Sequence, residues 1–158
     1  MDIREQAKKI VIEILEDEVN GRASKAREKM HKDYSMTWMY KNRKNEIFPS
    51  WKPSSSDNLD EVYAIKGRSY EIFNMAISEV IGDKVTVFVE LIERYPDQKT
   101  NKIYQTPLVL VLEVVDGKIK TGRHYCDHNI SFEDLNKGQI DLAYKGENKS
   151  SLLIESGS

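Results

Sequence analysis

Residues 107–128 read PLVLVLEVVDGKIKTGRHYCDH, and this stretch decides the fold. A mainly aliphatic run is followed by Asp116-Gly117 and then by a return segment. An Asp-Gly pair between two strand-forming runs predicts a tight β-hairpin, because both central positions of a primed turn need positive φ angles. The return strand is almost wholly polar although its partner is almost wholly aliphatic. We therefore expect one face of this hairpin to meet something other than a packed core.

Upstream of the hairpin the chain keeps a period of two, in which alternate residues point to opposite faces of a strand. Two further strand-forming segments, residues 69–77 and 85–93, flank a turn at Gly82-Asp83, and residues 96–101 turn the chain back toward the hairpin. One face of the second segment is apolar and ends in a carboxylate, with Val85, Val87, Val89, Leu91 and Glu93. The pattern predicts four long antiparallel strands.

The first third of the chain predicts helices. Apolar residues recur at helical spacing over residues 3–15, which is typical of an amphipathic helix, and Gly21 ends it. A second, shorter helix follows and ends near His31. A third helix of about two turns is expected over residues 59–67, because Ser56 or Asp57 can cap its first amides and Gly67 can close it.

The remaining segments are a hairpin, a loop and a tail. Residues 34–48 alternate and then return through a polar turn, which predicts a short hairpin, and the Pro- and Ser-rich residues 49–58 predict an exposed loop. The last residues are expected to have little order of their own. We predict one α+β domain over residues 1–130, in which a curved antiparallel sheet wraps around two to three helices as a cone with a pocket. We expect residues 131–158 to form a C-terminal extension that is partly disordered.

Composition excludes several classes of protein. The 158 residues suffice for one domain, and 24 basic against 26 acidic residues leave no global field that favours nucleic acid or an anionic membrane. Cys126 is the single cysteine, which excludes an intramolecular disulfide and fits a reducing compartment. The N-terminal residues alternate charges with apolar stretches, which is typical of neither a signal peptide nor a membrane-spanning helix. We expect a cytoplasmic protein.

Several short motifs occur in a fixed order along the predicted elements. They are His31-Lys32-Asp33-Tyr34, Gly67-Arg68, Ile81-Gly82-Asp83-Lys84-Val85, Asp116-Gly117-Lys118-Ile119, and Tyr125 with Asp127. In this order the chain resembles the nuclear transport factor two-like superfamily over about residues 5–130. That superfamily includes ketosteroid isomerase, limonene epoxide hydrolase, scytalone dehydratase and the polyketide cyclases. The resemblance implies an apolar pocket in the mouth of the cone and homodimers formed through the sheet face.

The resemblance also implies which positions carry chemistry. The hydrolase and cyclase groups have a catalytic Asp at the position of His124, five residues after Ile119. The hydrolase has an Arg and an Asp where this chain has Leu91 and Glu93, so the carboxylate is kept and the strand guanidinium is lost. Ketosteroid isomerase has its proton-abstracting Asp where this chain has Trp38. These departures count against steroid isomerisation and against epoxide hydrolysis by the known triad.

The residues present favour a different catalytic set. Histidine titrates nearest neutral pH, and a carboxylate on an adjacent strand can orient the ring, so His124 with Glu93 would form a general base. Tyr34 would donate a hydrogen bond to a developing oxyanion. Five side chains are expected to contact a ligand on the pocket wall: Trp38, Tyr63, Phe73, Leu91 and Cys126. The alternative for His124 and for the aromatic side chains is an ordinary structural role in the core.

Alternation divides the last strand into two faces. His124 and Cys126 point toward the predicted pocket, whereas Arg123, Tyr125 and Asp127 point toward the outer face or a partner subunit. His124-x-Cys126-x-His128 has residue types that suit zinc, but the outer side chains leave a straight strand about 13 Å apart. We therefore expect no metal, and the chain has no phosphate-binding loop or other cofactor motif.

Two functions of different classes remain. The first is a lyase or isomerase that performs general acid/base chemistry on a small apolar carbonyl compound. The second is a non-catalytic module of the same fold that binds a ligand or forms a dimer. The fold alone does not decide between an enzyme and a binding module.

Overall fold

The computed structural model describes residues 2–39, 52, 65–100, 102–126, 142–144 and 152–157. Two helices precede the sheet, α1 (Ile3–Val19) and α2 (Ala23–Glu28). The strands follow in the order β1 (Met30–Trp38), β2 (Ser69–Ile77), β3 (Lys84–Pro96), β4 (Ile103–Val115), β5 (Lys118–Tyr125) and β6 (Leu152–Ile154). Within this part of the chain, no helix is long and apolar enough to cross a membrane.

The described strands form one curved mixed sheet with the order β1-β5-β4-β3-β2-β6. The four long strands β2 to β5 pair antiparallel in chain order, as the period-two pattern predicted. Asp116 and Gly117 both have positive φ angles, 51° and 70°, at the predicted hairpin turn. The α+β class and the curved sheet packed on N-terminal helices are therefore confirmed.

The core lies between α1 and the inner face of the sheet. Asp2 caps α1 by accepting hydrogen bonds from the backbone amides of Arg4 and Glu5, at 2.8 and 2.9 Å. The apolar stripe of the helix packs on inward side chains of β3 and β4, which lose nearly all contact with water. The buried residues of this contact are Ala7, Val11, Ile14, Leu15 and Val19 on α1, and Val85, Val87, Val89, Leu91, Leu108, Leu110 and Leu112 on the sheet. The amphipathic periodicity of α1 thus places its apolar side against the inner face of the sheet.

Four sequence expectations need correction or lie outside the description. The second helix ends at Glu28 rather than near His31, because β1 begins at Met30. β1 pairs parallel with β5, a pairing that the sequence pattern did not predict, and residues 40–48 of the expected hairpin lie outside the described residues. The expected third helix is likewise undescribed over residues 59–64. Part of the C-terminal tail was wrongly predicted to lack order, because β6 pairs with β2 and Ile154 enters the core.

Candidate active site

A cavity of about 430 Å³ lies between the two helices and the inner face of the sheet. Most of its wall is apolar, with Val11, Ile14, Leu15, Ala23, Ala26, Met30, Met36, Trp38, Ile65, Leu108, Leu110, Leu112 and Ile119. The polar side chains on the wall are Glu18, Arg27, Tyr34, Arg68, Tyr70, Glu93 and His124. A mainly apolar cavity with a few polar groups is typical of small-molecule sites.

Four of these polar side chains form one cluster, Glu18, Arg68, Tyr70 and Glu93, which we call the acid cluster. The Tyr70 hydroxyl donates a hydrogen bond of 2.7 Å to Oε2 of Glu18. The Nε atom of Arg68 lies 3.3 Å from Oε2 of Glu93, and both side chains are less than one-fifth exposed. The guanidinium carbon of Arg68 is also 5.9 Å from the centre of the Tyr70 ring. One guanidinium therefore lies beside one carboxylate and over one phenol in a largely dry space.

The register of the sheet builds this cluster. Tyr70 on β2 pairs with Glu93 on β3, and Glu93 pairs with Thr106 on β4, so three polar side chains form a row across the inner face. Gly67 has a φ angle of 80°, and a Cβ atom there would lie 2.9 Å from the ring of Pro96 at the end of β3. Glycine therefore allows the chain to pass close to β3 and deliver Arg68 to Glu93.

Burial governs the charges in the acid cluster. It raises the pKa of the Glu18 carboxyl above its ordinary value, although the charge of Arg68 and the hydrogen bond from Tyr70 partly oppose this. Burial opposes charge on Arg68 as well, but the acidic groups of Tyr70, Glu93 and Glu18 outweigh it and raise the pKa of the guanidinium. Burial therefore shifts Glu18 toward its neutral form, whereas Arg68 keeps its charge.

The tyrosines on the wall are held as neutral phenols. Burial raises the pKa of Tyr34 and of Tyr70, and the proximity of the Glu18 carboxyl raises both further. A neutral phenol keeps its proton and can donate a hydrogen bond to a ligand oxygen. Tyr34 is 5% exposed and lines the cavity, so its position is compatible with the donor role predicted for it.

Glu93 and His124 line the same cavity but do not face each other directly. They lie on β3 and β5, on opposite sides of β4. Glu93 pairs with Thr106 whereas His124 pairs with Leu110, a separation of about 13 Å along β4. The prediction of a His124–Glu93 general base assumed that the two residues lie on adjacent strands, but β4 separates their strands. His124 instead has its Nδ1 atom 3.4 Å from Sγ of Cys126.

The predicted wall residues divide between cavity, core and outer face. Trp38 lines the cavity. Leu91 and Cys126 are buried in the core and do not line the cavity. Phe73 lies on the outer face, where its ring stacks on Tyr144 with centres 4.0 Å apart. The register of β2 shifts between residues 72 and 74, and this bulge turns Phe73 away from the face that simple alternation gave it. Tyr63 and Asp127 lie outside the described residues.

Sequence reasoning missed Glu18, Arg68 and Tyr70 as site residues. A signal for Glu18 existed, because it continues the buried helical stripe of Val11, Ile14 and Leu15 with a carboxylate. For Arg68 the signal was weaker. The resemblance implied the loss of a guanidinium at the position of Leu91, whereas Arg68 brings a guanidinium to Glu93 from a different element.

Comparisons with known proteins show the fold. No protein-family model matches the sequence, and no curated protein matches it. Among solved structures, an LEH-like epoxide hydrolase of M. tuberculosis superposes with a TM-score of 0.63 at 19% identity, over 90% of this chain and 98% of that one. A type 2 hexachlorocyclohexane dehydrochlorinase, LinA, reaches a TM-score of 0.61 at 14% identity, over 78% and 84%.

A third structure, an NTF2-like protein of unknown function from Cytophaga hutchinsonii, matches with a TM-score of 0.53 at 12% identity, over 80% and 95% of the two chains. These likenesses show that the chain has the nuclear transport factor two-like fold, as its motifs and element order predicted. The identities are too low for function to be transferred, so the chemistry must be argued from the cavity itself.

Proposed function

We propose that this protein is a lyase or isomerase that binds a small, largely apolar carbonyl compound in the cavity and moves a proton on it. The observation that carries the proposal is the acid cluster. Glu93 lies beside the Arg68 cation, whereas Glu18 accepts from a neutral phenol at the cavity wall. A carboxylate paired with a guanidinium, and a second carboxyl whose pKa burial raises, line the same cavity and are suited to acid/base catalysis.

Glu93 is the proposed base. Arg68 stabilises its carboxylate and holds it at the cavity wall, so that an oxygen faces the carbon next to the ligand carbonyl. The C–H bond breaks, the proton moves to Glu93, and the electron pair delocalises onto the carbonyl oxygen as an enolate. Where a C=C bond extends the enolate, return of the proton to the γ-carbon completes an isomerisation; where the ligand has a β-substituent, its departure with the electron pair completes an elimination.

Glu18 and Tyr34 are the proposed donors to the enolate oxygen. Glu18 is the carboxyl whose pKa burial raises, which favours a donor role, and Tyr34 is a buried phenol on the same cavity wall. His124 and Trp38 are proposed to contact the apolar body of the ligand at the β1–β5 side of the cavity. This assignment moves the base from the His124–Glu93 pair to Glu93 with Arg68.

The test is deuterium exchange. We expect the protein to speed the exchange of the protons beside the carbonyl of 4-phenylbutan-2-one in heavy water, followed by proton NMR. Glu93→Gln should slow this exchange by about 100-fold, the usual effect of removing a general base. Glu90→Gln is the matched control, because Glu90 lies on the same strand but on the outer face, where it accepts from Asn74 at 2.8 Å.

Equal exchange rates in Glu93→Gln and wild type would disprove the role of Glu93. If the ketone binds but wild type leaves the exchange rate at that of buffer, the non-catalytic ligand-binding module becomes the better description. Binding is measured independently by NMR titration of the protein, so the two outcomes are distinguishable.

A further inference from the structure

Two buried side-chain atoms in the described part of the chain have no hydrogen-bond partner, and both belong to residues that neighbour Glu93. They are Nε of Arg68 and Oγ1 of Thr106. Nε lies 3.3 Å from the Glu93 carboxylate, but its N–H does not point at it well enough to form a hydrogen bond. Buried polar atoms are satisfied in the great majority of cases, so these two donors are suited to bond a polar atom of a ligand or water.

The register explains why the two atoms converge. Thr106 is the cross-strand partner of Glu93, so the two side chains lie on the same sheet face with Cβ atoms about 5 Å apart. Arg68 approaches the same carboxylate from the β2 side, where Tyr70 pairs with Glu93. Thr106 is only 3% exposed. Glu93 thus has, on its β2 and β4 sides, two side chains that each carry a donor atom with no hydrogen-bond acceptor.

The chemistry of these three groups selects the atom that fits between them. The Arg68 N–H only donates and the Glu93 carboxylate only accepts, whereas the Thr106 hydroxyl does both. An atom that contacts all three must therefore accept one hydrogen bond and donate another. A ketone oxygen cannot donate to the carboxylate, and an ammonium group cannot accept from the guanidinium. Water and alcohol oxygens meet both requirements.

We propose that Thr106, Arg68 and Glu93 form a seat for a hydroxyl oxygen, supplied either by a ligand or by a bound water. Thr106 would position that oxygen beside Glu93 and select ligands that carry a hydroxyl group. This role rests on the proposed acid/base function. If the ligand supplies the oxygen, the substrate class narrows to hydroxy ketones: the carbonyl meets the donors Glu18 and Tyr34, and the hydroxyl meets the seat.

The experiment compares two probes that differ by one hydroxyl, 4-phenylbutan-2-one and 4-hydroxy-4-phenylbutan-2-one. Dissociation constants are measured by NMR titration for wild type, Thr106→Val and Thr106→Ser. We expect Thr106→Val to weaken binding of the hydroxy ketone by about three- to tenfold relative to the ketone. Thr106→Ser, which keeps a hydroxyl at nearly the same place, should restore the wild-type ratio.

A second readout separates the two sources of the oxygen. If water fills the seat, the ratio of dissociation constants is the same in all three proteins. In that case a crystal structure of the ketone complex will show a water bonded to Thr106, Arg68 and Glu93 that is missing in Thr106→Val. An unchanged ratio together with an empty seat would overturn the proposal.

The two proposals fail in different ways. Failure of both probes to bind wild type would overturn the hydroxyl seat and the proposed function together. If binding depends on Thr106 as expected but Glu93→Gln exchanges protons as fast as wild type, only the proposed reaction is lost.

Discussion

Asp17 and Glu18 are neighbours in the sequence and have opposite surroundings. The Asp17 carboxylate accepts from Nε of Arg22 at 2.9 Å and from Nζ of Lys29 at 2.7 Å. Although burial alone raises the pKa of Asp17, these hydrogen bonds and charges lower it below the ordinary value. Glu18 points into the cavity and accepts from the Tyr70 phenol, and burial raises its pKa.

The difference shows what separates a structural carboxylate from a chemically useful one. Asp17 is neutralised by two cations that join the end of α1 to the segments on either side of α2, so its charge stabilises the fold. Glu18 shares a single guanidinium with Glu93 and receives its hydrogen bond from a neutral donor. A carboxyl group whose ionised form is destabilised by burial, and only partly stabilised by nearby charges, is suited to proton transfer.

Removing the acid at position 18 should give the largest effect. We expect Glu18→Gln to lower the rate of ketone proton exchange by about 100-fold while the free energy of unfolding stays within about 1 kcal/mol, because an amide replaces a carboxyl that favours the neutral form. Exchange kinetics and urea unfolding measure the two quantities. Glu13→Gln, on the exposed side of α1 next to Lys9, is the control and should change neither.

Removing the acid at position 17 should have the reverse outcome. Asp17→Asn leaves Lys29 and Arg22 without their carboxylate, and we expect a loss of about 2 kcal/mol in the free energy of unfolding, below the full effect of a buried pair because both cations are partly exposed. The exchange rate of the folded variant should stay near that of wild type. A variant that unfolds normally but no longer exchanges ketone protons would contradict the division between the two residues.

The smallest expected effect is a difference in pH dependence. The folded pKa of Asp17 is lowered, so its stabilisation is complete above its ordinary value of 3.8 and is lost as pH falls through the folded pKa. The folded pKa of Glu18 is raised above 4.5, so its neutral form contributes fully below 4.5 and that contribution is lost as pH rises through the folded pKa.

Urea unfolding over roughly pH 3 to 8 resolves these two windows. The stability deficit of Asp17→Asn should grow as pH rises from the acid end. The stability of Glu18→Gln relative to wild type should instead rise with pH, and only above the ordinary pKa of a glutamate, 4.5. Equal pH profiles for the two variants would contradict the opposite pKa shifts of Asp17 and Glu18.

Residue patterns predicted the parts of the site that depend on local periodicity. The alternation in 85–93 placed Glu93 on the inner face, and the family alignment placed His124 and Trp38 where they line the cavity. Alternation failed at Phe73, because a bulge adds one residue to β2 and reverses the faces beyond it. Pairing failed for His124 and Glu93, because the period of a strand says nothing about which strands are neighbours.

The sequence by itself determined the α+β class, the meander and its Asp116-Gly117 turn, because helical and strand periods and turn residues act over a few positions. Only the tertiary structure decided that Glu18, Arg68, Tyr70 and Glu93 meet. These residues come from α1, β2, β3 and the residue before β2, up to 75 positions apart (93 − 18), and their contact depends on the path that Gly67 allows and on the register of β2 with β3. Strand pairing and helix docking are settled by burial of the whole apolar surface, which no short segment contains.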